Sequence, residues 1–477
     1  MTAPDPAAAP AAAFDVIVIG GGPAGHRAAL TGAAAGRRIA LVEQEREVGG
    51  ACVALGTIPS KTLRETALAL TSVRRKTGDV FHIEGREDLQ VRALMQRLDQ
   101  VVSAHEHFMG RQLGQAGVTV VHGRARFVTP REVEVRTIAG AAPRLTAPVV
   151  IIATGSRPRS PKEVPVDHEH ILDSDSILSM TYLPRSLVVL GAGVIASEYA
   201  SIFAALGVQV TMIDKGPRPV AFVEPALTAE FVRGFEALGG RFLGGRTTKS
   251  VAWNGIDAVR VVLDDGRELL ADKVLCALGR VANIEGLALE NAGLAPSERG
   301  LVVVDARCRT AVPGIYAAGD VIGPPSLAAS SMEQGRRAMC DALGIDPGPG
   351  ADLIPTGVYS IPEMGSVGLT EARARELHGG AMVGRASFAE IARGHIGAIA
   401  DGLLLLVADP QGVRLLGAHA VGEGAAELVG LGQVAIQSGW RIDQLIESVF
   451  NFPTLAEAYR VAALDIAGRR PPKPDAP

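Results

Sequence analysis

Val16-Ile17-Val18-Ile19 running into Gly20-Gly21-Gly22-Pro23-Ala24-Gly25 is the stretch on which the fold turns. Four consecutive branched apolar residues read as a strand buried on both faces. The glycines spell G-x-G-x-x-G, and a helix-like stretch and a second strand, Ile39-Ala40-Leu41-Val42, follow them. Each part has a physical task. Gly20 permits the tight turn, Gly22 lets the backbone approach a pyrophosphate, and Gly25 lets the helix pack against the strand. The helix start then offers amides and a partial positive charge to the phosphates. Glu43, 23 residues after Gly20, stands where a carboxylate accepts hydrogen bonds from a ribose diol. A glycine-rich turn alone is weak evidence. With strand, helix and carboxylate in place it marks a dinucleotide site.

The arrangement occurs twice. Leu187-Val188-Val189-Leu190 leads into Gly191-Ala192-Gly193-Val194-Ile195-Ala196, and Val208-Gln209-Val210-Thr211-Met212-Ile213 ends in Asp214. The region Leu187 to Ile213 carries one charge, Glu198, and its length invites a membrane-span reading. Gly191 and Gly193 interrupt it after a strand-like start, so a buried strand–helix–strand is the better reading. Two such units on one chain imply two nucleotides, as hydride transfer between a bound flavin and a diffusing nicotinamide requires. The alternative is a duplicated scaffold with one inactive site.

Outward from these units, composition narrows the choices. The chain has 477 residues, 47% hydrophobic and 21% charged, with a formal net charge of −4. That is a globular balance, long enough for about three domains. Near-neutral charge and 4% aromatic residues speak against a nucleic-acid surface. Four scattered cysteines suggest neither a disulfide scaffold nor a metal site, and fit a reducing compartment. His26, His105, His107, His395 and His419 show no ligand spacing and read as surface or packing residues. The start, MTAPDPAAAPAAA, has no basic residue and no apolar core, unlike a signal or transit peptide, so a cytoplasmic protein is expected. Residues 1–12 and 471–477 read as flexible tails.

Between the two units lies Gly49-Gly50-Ala51-Cys52-Val53-Ala54-Leu55-Gly56-Thr57-Ile58-Pro59-Ser60-Lys61. Here the chain resembles the pyridine nucleotide–disulfide oxidoreductases. Ala153-Thr154-Gly155, Ala277-Leu278-Gly279-Arg280, and Thr310 to Gly319-Asp320 match in the same order. The resemblance runs from about Asp15 to about Leu464 and implies an FAD site, a nicotinamide site and a dimer. It departs from the family at two places. Family members with thiol chemistry carry C-x-x-x-x-C where this chain has Cys52 and Thr57. The family's H-P-T-x-x-E reads Phe452-Pro453-Thr454-Leu455-Ala456-Glu457. A threonine supplies no thiolate and a phenylalanine carries no proton, so dithiol chemistry is not expected.

Within the family the chain looks like the soluble pyridine nucleotide transhydrogenases, in Gly56 to Lys61, Asp173 to Met180, Glu198 to Phe203, Gly319 to Gly323 and Ile354 to Tyr359. The resemblance implies roles for particular residues. Lys61 and Glu198 would pair beside the flavin and serve catalysis, the structural alternative being a buried ion pair. Gly20, Gly22, Gly25, Glu43, Gly50, Thr57, Lys61, Thr154, Gly155, Gly319, Asp320, Leu327 and Ala328 would line the FAD site. A helix-like segment beginning at Ser326-Leu327-Ala328 would point its N-terminus at the flavin. Gly191, Gly193, Val194, Ile195, Glu198, Asp214, Lys215, Arg218 and Gly279 would line the NAD(P) site. Asp214 favours a ribose diol, whereas Lys215 and Arg218 could take a 2′-phosphate. The alternative for those charges is a solvated loop. Cys52 would be the only cysteine near the flavin, although a single small cysteine is more often packing.

The expected architecture is α/β: two Rossmann-like dinucleotide-binding domains and a C-terminal α+β dimerisation domain. The FAD domain covers 13–155 and 281–346, the NAD(P) domain 156–280, and the dimerisation domain 347–470. Gly348-Pro349-Gly350 marks the linker, and Phe452 and Glu457 would sit near the partner's flavin. The expected activity is FAD-dependent hydride transfer between NADPH and NAD by a ping-pong route, without a redox-active disulfide. The alternatives are an NAD(P)H:quinone or dye reductase of the same fold, and a flavin-binding regulatory subunit without turnover.

Overall fold

The computed structural model describes residues 12–77, 91–140, 142–349 and 353–470. Apart from Ala12, the two expected tails lie outside the described residues, as does Gly350 of the expected linker. The chain divides into two compact units. One takes the described residues of Met1–Pro59, Met95–Arg159 and Arg280–Ala351, and the other those of Ser60–Leu94, Ser160–Gly279 and Asp352–Pro477.

The first unit is built on a parallel sheet ordered Ile315–Ala317, Val149–Ile152, Val16–Ile19, Ile39–Glu43, Thr119–His122. Val16–Ile19 holds the centre because all four side chains are buried, which only a strand covered on both faces achieves. The helix Pro23–Ala34 crosses over from it, with proline in the first turn, where no amide is lost. An antiparallel sheet of Arg124–Thr129, Glu132–Arg136 and Arg144–Thr146 packs Phe127, Val133 and Val135 against the same core. The helix Ala328–Ala342 lies against Pro23–Ala34, and Gly335 makes this possible. A Cβ there would come 2.0 Å from the Ala24 carbonyl oxygen.

The second unit repeats the plan. Its parallel sheet is ordered Ile171–Asp173, Lys273–Cys276, Ser186–Leu190, Gln209–Asp214, Arg241–Gly244. The apolar region that tempted a membrane reading is the strand Ser186–Leu190, the helix Val194–Ala205 and the strand Gln209–Asp214. No helix among the described residues is long and apolar enough to cross a membrane. The same unit contains an antiparallel sheet ordered Thr356–Val358, Met364–Gly368, Leu415–Val421, Leu403–Ala408, Met382–Ser387, backed by the helices Ala425–Gln437 and Glu457–Ala467. One core joins the two sheets: Phe203, Phe231 and Phe235 pack with Val358, Met364, Leu405 and Val421. Each such side chain contributes about 1.5–3 kcal/mol on burial.

Candidate functional site

In the first unit, the turn after Val16–Ile19 is held by main-chain closeness. Gly20 has φ +104°, and a Cβ on it would lie 2.3 Å from the Ala153 carbonyl oxygen. A Cβ on Gly25 would fall 1.8 Å from the Gly20 oxygen, so helix and turn touch with no room for a methyl group. Gly22 caps the helix, and the backbone of Gly50, at φ +59°, approaches it closely. A Cβ on Gly50 would meet the Gly22 Cα at 2.9 Å. The helix start is thus lined by bare backbone, the kind of surface that a phosphate can approach. Glu43 closes the far side. Its carboxylate accepts from the Gly21 amide at 2.7 Å and the Glu45 amide at 3.0 Å. Burial pushes its pKa up, and these amides pull it partly back.

Beside the same turn, where a Cβ on Gly20 would lie 3.2 Å from the Thr154 Cα, Thr154-Gly155-Ser156 meets Gly319-Asp320. The Ser156 hydroxyl donates to Asp320 Oδ2 at 2.6 Å, and Arg280 Nε donates to Ser156 Oγ at 2.8 Å. Asn283 donates to the Thr154 carbonyl at 3.0 Å. Gln334 accepts from the Gly319 amide at 2.9 Å. Thr154 Oγ1 is buried and lacks a hydrogen-bond partner, a state that costs free energy unless a ligand meets it. Leu327 is the cap of the helix Ala328–Ala342, so the helix begins two residues after Ser326. No side chain caps that end. Ser156, Asn283 and Gln334 escaped the sequence reading because single polar residues carry no spacing signal. Arg280 was visible only as the end of a motif.

In the second unit the turn is built the same way. Gly191 has φ +102°, and a Cβ on it would lie 2.6 Å from the Ala277 oxygen. Gly193 caps the helix that Val194 and Ile195 begin, and a Cβ on it would meet nothing within 4 Å. Asp214 repeats the work of Glu43, accepting from the Ala192 amide at 2.9 Å and the Gly216 amide at 2.6 Å. Gly279, at φ +104°, ends the Ser160–Gly279 segment of this unit. Lys215 is exposed. Arg218 is turned to its own loop, donating to the Val223 carbonyl at 2.7 Å and the Ala221 carbonyl at 2.5 Å.

Lys61 and Glu198 come together. Nζ lies 2.6 Å from Oε2, although 137 residues separate them. The Glu198 side chain is 5% exposed and that of Lys61 24%. Glu198 Oε1 also accepts from the Tyr359 amide at 2.9 Å, and Lys61 Nζ stands 4.8 Å from the centre of the Tyr359 ring. A second ion pair braces the same segment: Arg64 Nη2 lies 2.8 Å from Glu363 Oε2, and Arg64 Nε donates to the Ser360 carbonyl at 3.1 Å. Burial raises the Glu363 pKa, and Arg64 works against that rise. Tyr359, Arg64 and Glu363 were missed. Lys61 and Arg64 are three apart on the helix Thr57–Thr77, a spacing that hinted at a shared face.

The helix Thr57–Thr77 starts at Thr57, one turn before Lys61. None of the four cysteines forms a disulfide, and Cys52 is half-buried while Cys276, Cys308 and Cys340 are buried. Burial pushes the Cys308 thiol up to about 11. Phe452 is 70% exposed, and Glu457 accepts from the Thr454 amide at 3.3 Å. Among the five histidines considered above, His26 and His419 are buried.

The family model described as pyridine nucleotide-disulphide oxidoreductase matches residues 14–335. The dimerisation-domain model of that family matches residues 354–463. A soluble pyridine nucleotide transhydrogenase of Mycobacterium tuberculosis (strain ATCC 25177 / H37Ra) is 40% identical over 460 residues, 96% of this chain and 97% of that protein. A protein of the same name from Hahella chejuensis is 37% identical over 456 residues, 95% of this chain and 98% of that protein. Among solved structures, LpdA from M. tuberculosis superimposes with a TM-score of 0.87 at 28% identity, covering 94% of this chain and 99% of that one. The HOCl-induced flavoprotein disulfide reductase RclA of Escherichia coli gives 0.84 at 26% identity, covering 94% and 99%.

Proposed function

The chain belongs to the pyridine nucleotide-disulphide oxidoreductases, and from that premise we propose that it is a soluble pyridine nucleotide transhydrogenase, moving a hydride from NADPH to NAD. The observation that carries this reading is the dinucleotide turn built twice, each closed by a carboxylate that accepts two loop amides. The relatives' shared name supplies the substrates.

The first turn fits FAD. The bare backbone of Gly22 at the helix start leaves room for a pyrophosphate to approach, Glu43 can take the ribose diol, Asp320 the ribityl chain, and the unmatched Thr154 hydroxyl a ligand atom. FAD, when bound, supplies reversible two-electron hydride exchange, so NADPH and NAD can use one site in turn, the ping-pong route. The protein's own work is to bind and orient both nicotinamides and keep water out. Lys61 supplies fixed positive charge, and Glu198 with the Tyr359 amide holds that charge in place. With Thr57 and Phe452 at the family's second-thiol and acid–base positions, no disulfide relay takes part. We read the protein as a cytoplasmic homodimer, on the dimerisation-domain match and the relatives' designation as soluble. In that dimer Phe452 and Glu457 would approach the partner's flavin.

The test mixes FAD-loaded protein with NADPH and a thio-analogue of NAD, without quinone. Rapid reduction of the analogue is expected. Flavin reduction that discharges only to quinones would replace the reading with a quinone reductase, and no flavin reduction would leave a binding subunit. A dithionite titration should show no long-wavelength thiolate–flavin band.

A further inference from the structure

An enzyme that accepts both nucleotides must tolerate a 2′-phosphate beside the carboxylate that greets a bare ribose. In a doubly wound sheet that ribose lies at the carboxyl end of the unit's second strand, here Asp214. The obvious cation, Arg218, is committed to the carbonyls of Ala221 and Val223.

Another cation lies next door. The strand Arg241–Gly244 pairs in parallel with Gln209–Asp214, placing Gly244 opposite Asp214. The chain then turns through Gly245, at φ +69°, whose amide donates to the Gly216 oxygen at 3.0 Å. The next amide, that of Arg246, donates to the Asp214 carbonyl at 2.9 Å. The Arg246 main chain is thus locked to the residue that would hold the ribose. Its guanidinium rests on Asp265, with Nε 3.1 Å from Oδ2, and is 41% exposed. Asp265 already has a second cation, Arg267, with Nε at 2.7 Å, so Arg246 can leave without stranding a charge. Asp214 is also one methylene shorter than Glu43, and both its oxygens are tied to loop amides, which draws its charge back towards the strand.

We propose that Arg246 is the residue that recognises the 2′-phosphate. With NAD it stays on Asp265, and with NADP it turns to the phosphate, so one site serves both substrates. This rests on the reading that the second unit takes both nucleotides.

The test uses FAD-loaded full-length enzyme carrying R246Q, D265N or K215Q. Binding of 2′,5′-ADP and 5′-ADP is measured by calorimetry, and the KM for NADPH and NADH by flavin reduction. R246Q should weaken 2′,5′-ADP and NADPH by about tenfold or more, the loss expected of one charge-assisted hydrogen bond, and leave 5′-ADP and NADH within about twofold. D265N, which frees the guanidinium, should tighten 2′,5′-ADP only. Equal effects of R246Q on both ligand classes, no effect on either, or a loss of selectivity confined to K215Q would overturn the assignment. If R246Q does not fold, a D265N enzyme with unchanged selectivity overturns it. Wild-type enzyme that ignores 2′,5′-ADP would instead sink the two-substrate reading itself.

Discussion

Removing Lys61 should cost more stability than removing Glu198, although the two share one contact. At 2.6 Å, with an effective dielectric constant of about 20, the gross attraction is about 6 kcal/mol, most of it offset by desolvation. What remains depends on which charge is stranded. Lys61→Met leaves a carboxylate that is 5% exposed and still served only by the Tyr359 amide. Breaking a buried pair in this direction costs about 3–5 kcal/mol, and the partial exposure of Lys61 brings the expectation to about 3 kcal/mol. Glu198→Gln keeps an acceptor for Tyr359 and leaves an ammonium that is 24% exposed, on a flexible stem, beside the Ser60 hydroxyl at 3.3 Å. About 1 kcal/mol is expected there. The double variant should recover part of the Lys61→Met loss. Urea unfolding with FAD in fixed excess measures all three, read as an order of midpoints because a chain of two units need not unfold in one step. If Lys61→Met proves no worse than Glu198→Gln, or the double variant is worse than the sum, the stranded-charge reasoning fails.

Gly25→Ala should purify with little flavin, because its methyl group cannot fit beside the Gly20 oxygen. Gly193→Ala should fold normally and raise only nicotinamide KM; absorbance ratios and kinetics separate the two. Thr154→Val should stabilise the flavin-free protein by up to about 1 kcal/mol while weakening FAD binding, measured by thermal unfolding and flavin titration. His419 is fully buried, with Nδ1 2.7 Å from Ser366 Oγ and Nε2 2.9 Å from the Leu369 carbonyl. That carbonyl only accepts, so Nε2 carries the proton and the neutral ring fits the site. Burial lowers its pKa. The unfolded state therefore takes up a proton first, and stability should fall as pH drops below about 6.5, by at most about 1.4 kcal/mol per unit. His419→Gln should flatten that slope in pH-dependent denaturation.

The local sequence carried the two nucleotide turns completely. Gly20, Gly25 and Gly191 stand where only a missing side chain permits the approach of backbone to backbone, and such constraints act over a few residues. Branched apolar runs marked the central strands for the same reason: burial on both faces leaves no polar position. The absence of a second thiol at Thr57 and of an imidazole at Phe452 was also a matter of residue identity. What only the folded chain decided were pairings across long separations. Tyr359 reaches Glu198 over 161 residues, Asp320 meets Ser156 over 164, and Arg64 finds Glu363 in a distant part of the chain. Arg218 and Arg246 look alike as letters. The fold turns one to its own loop and ties the main chain of the other to Asp214, because a hydrogen bond depends on where two atoms come to rest, which spacing along the chain does not encode.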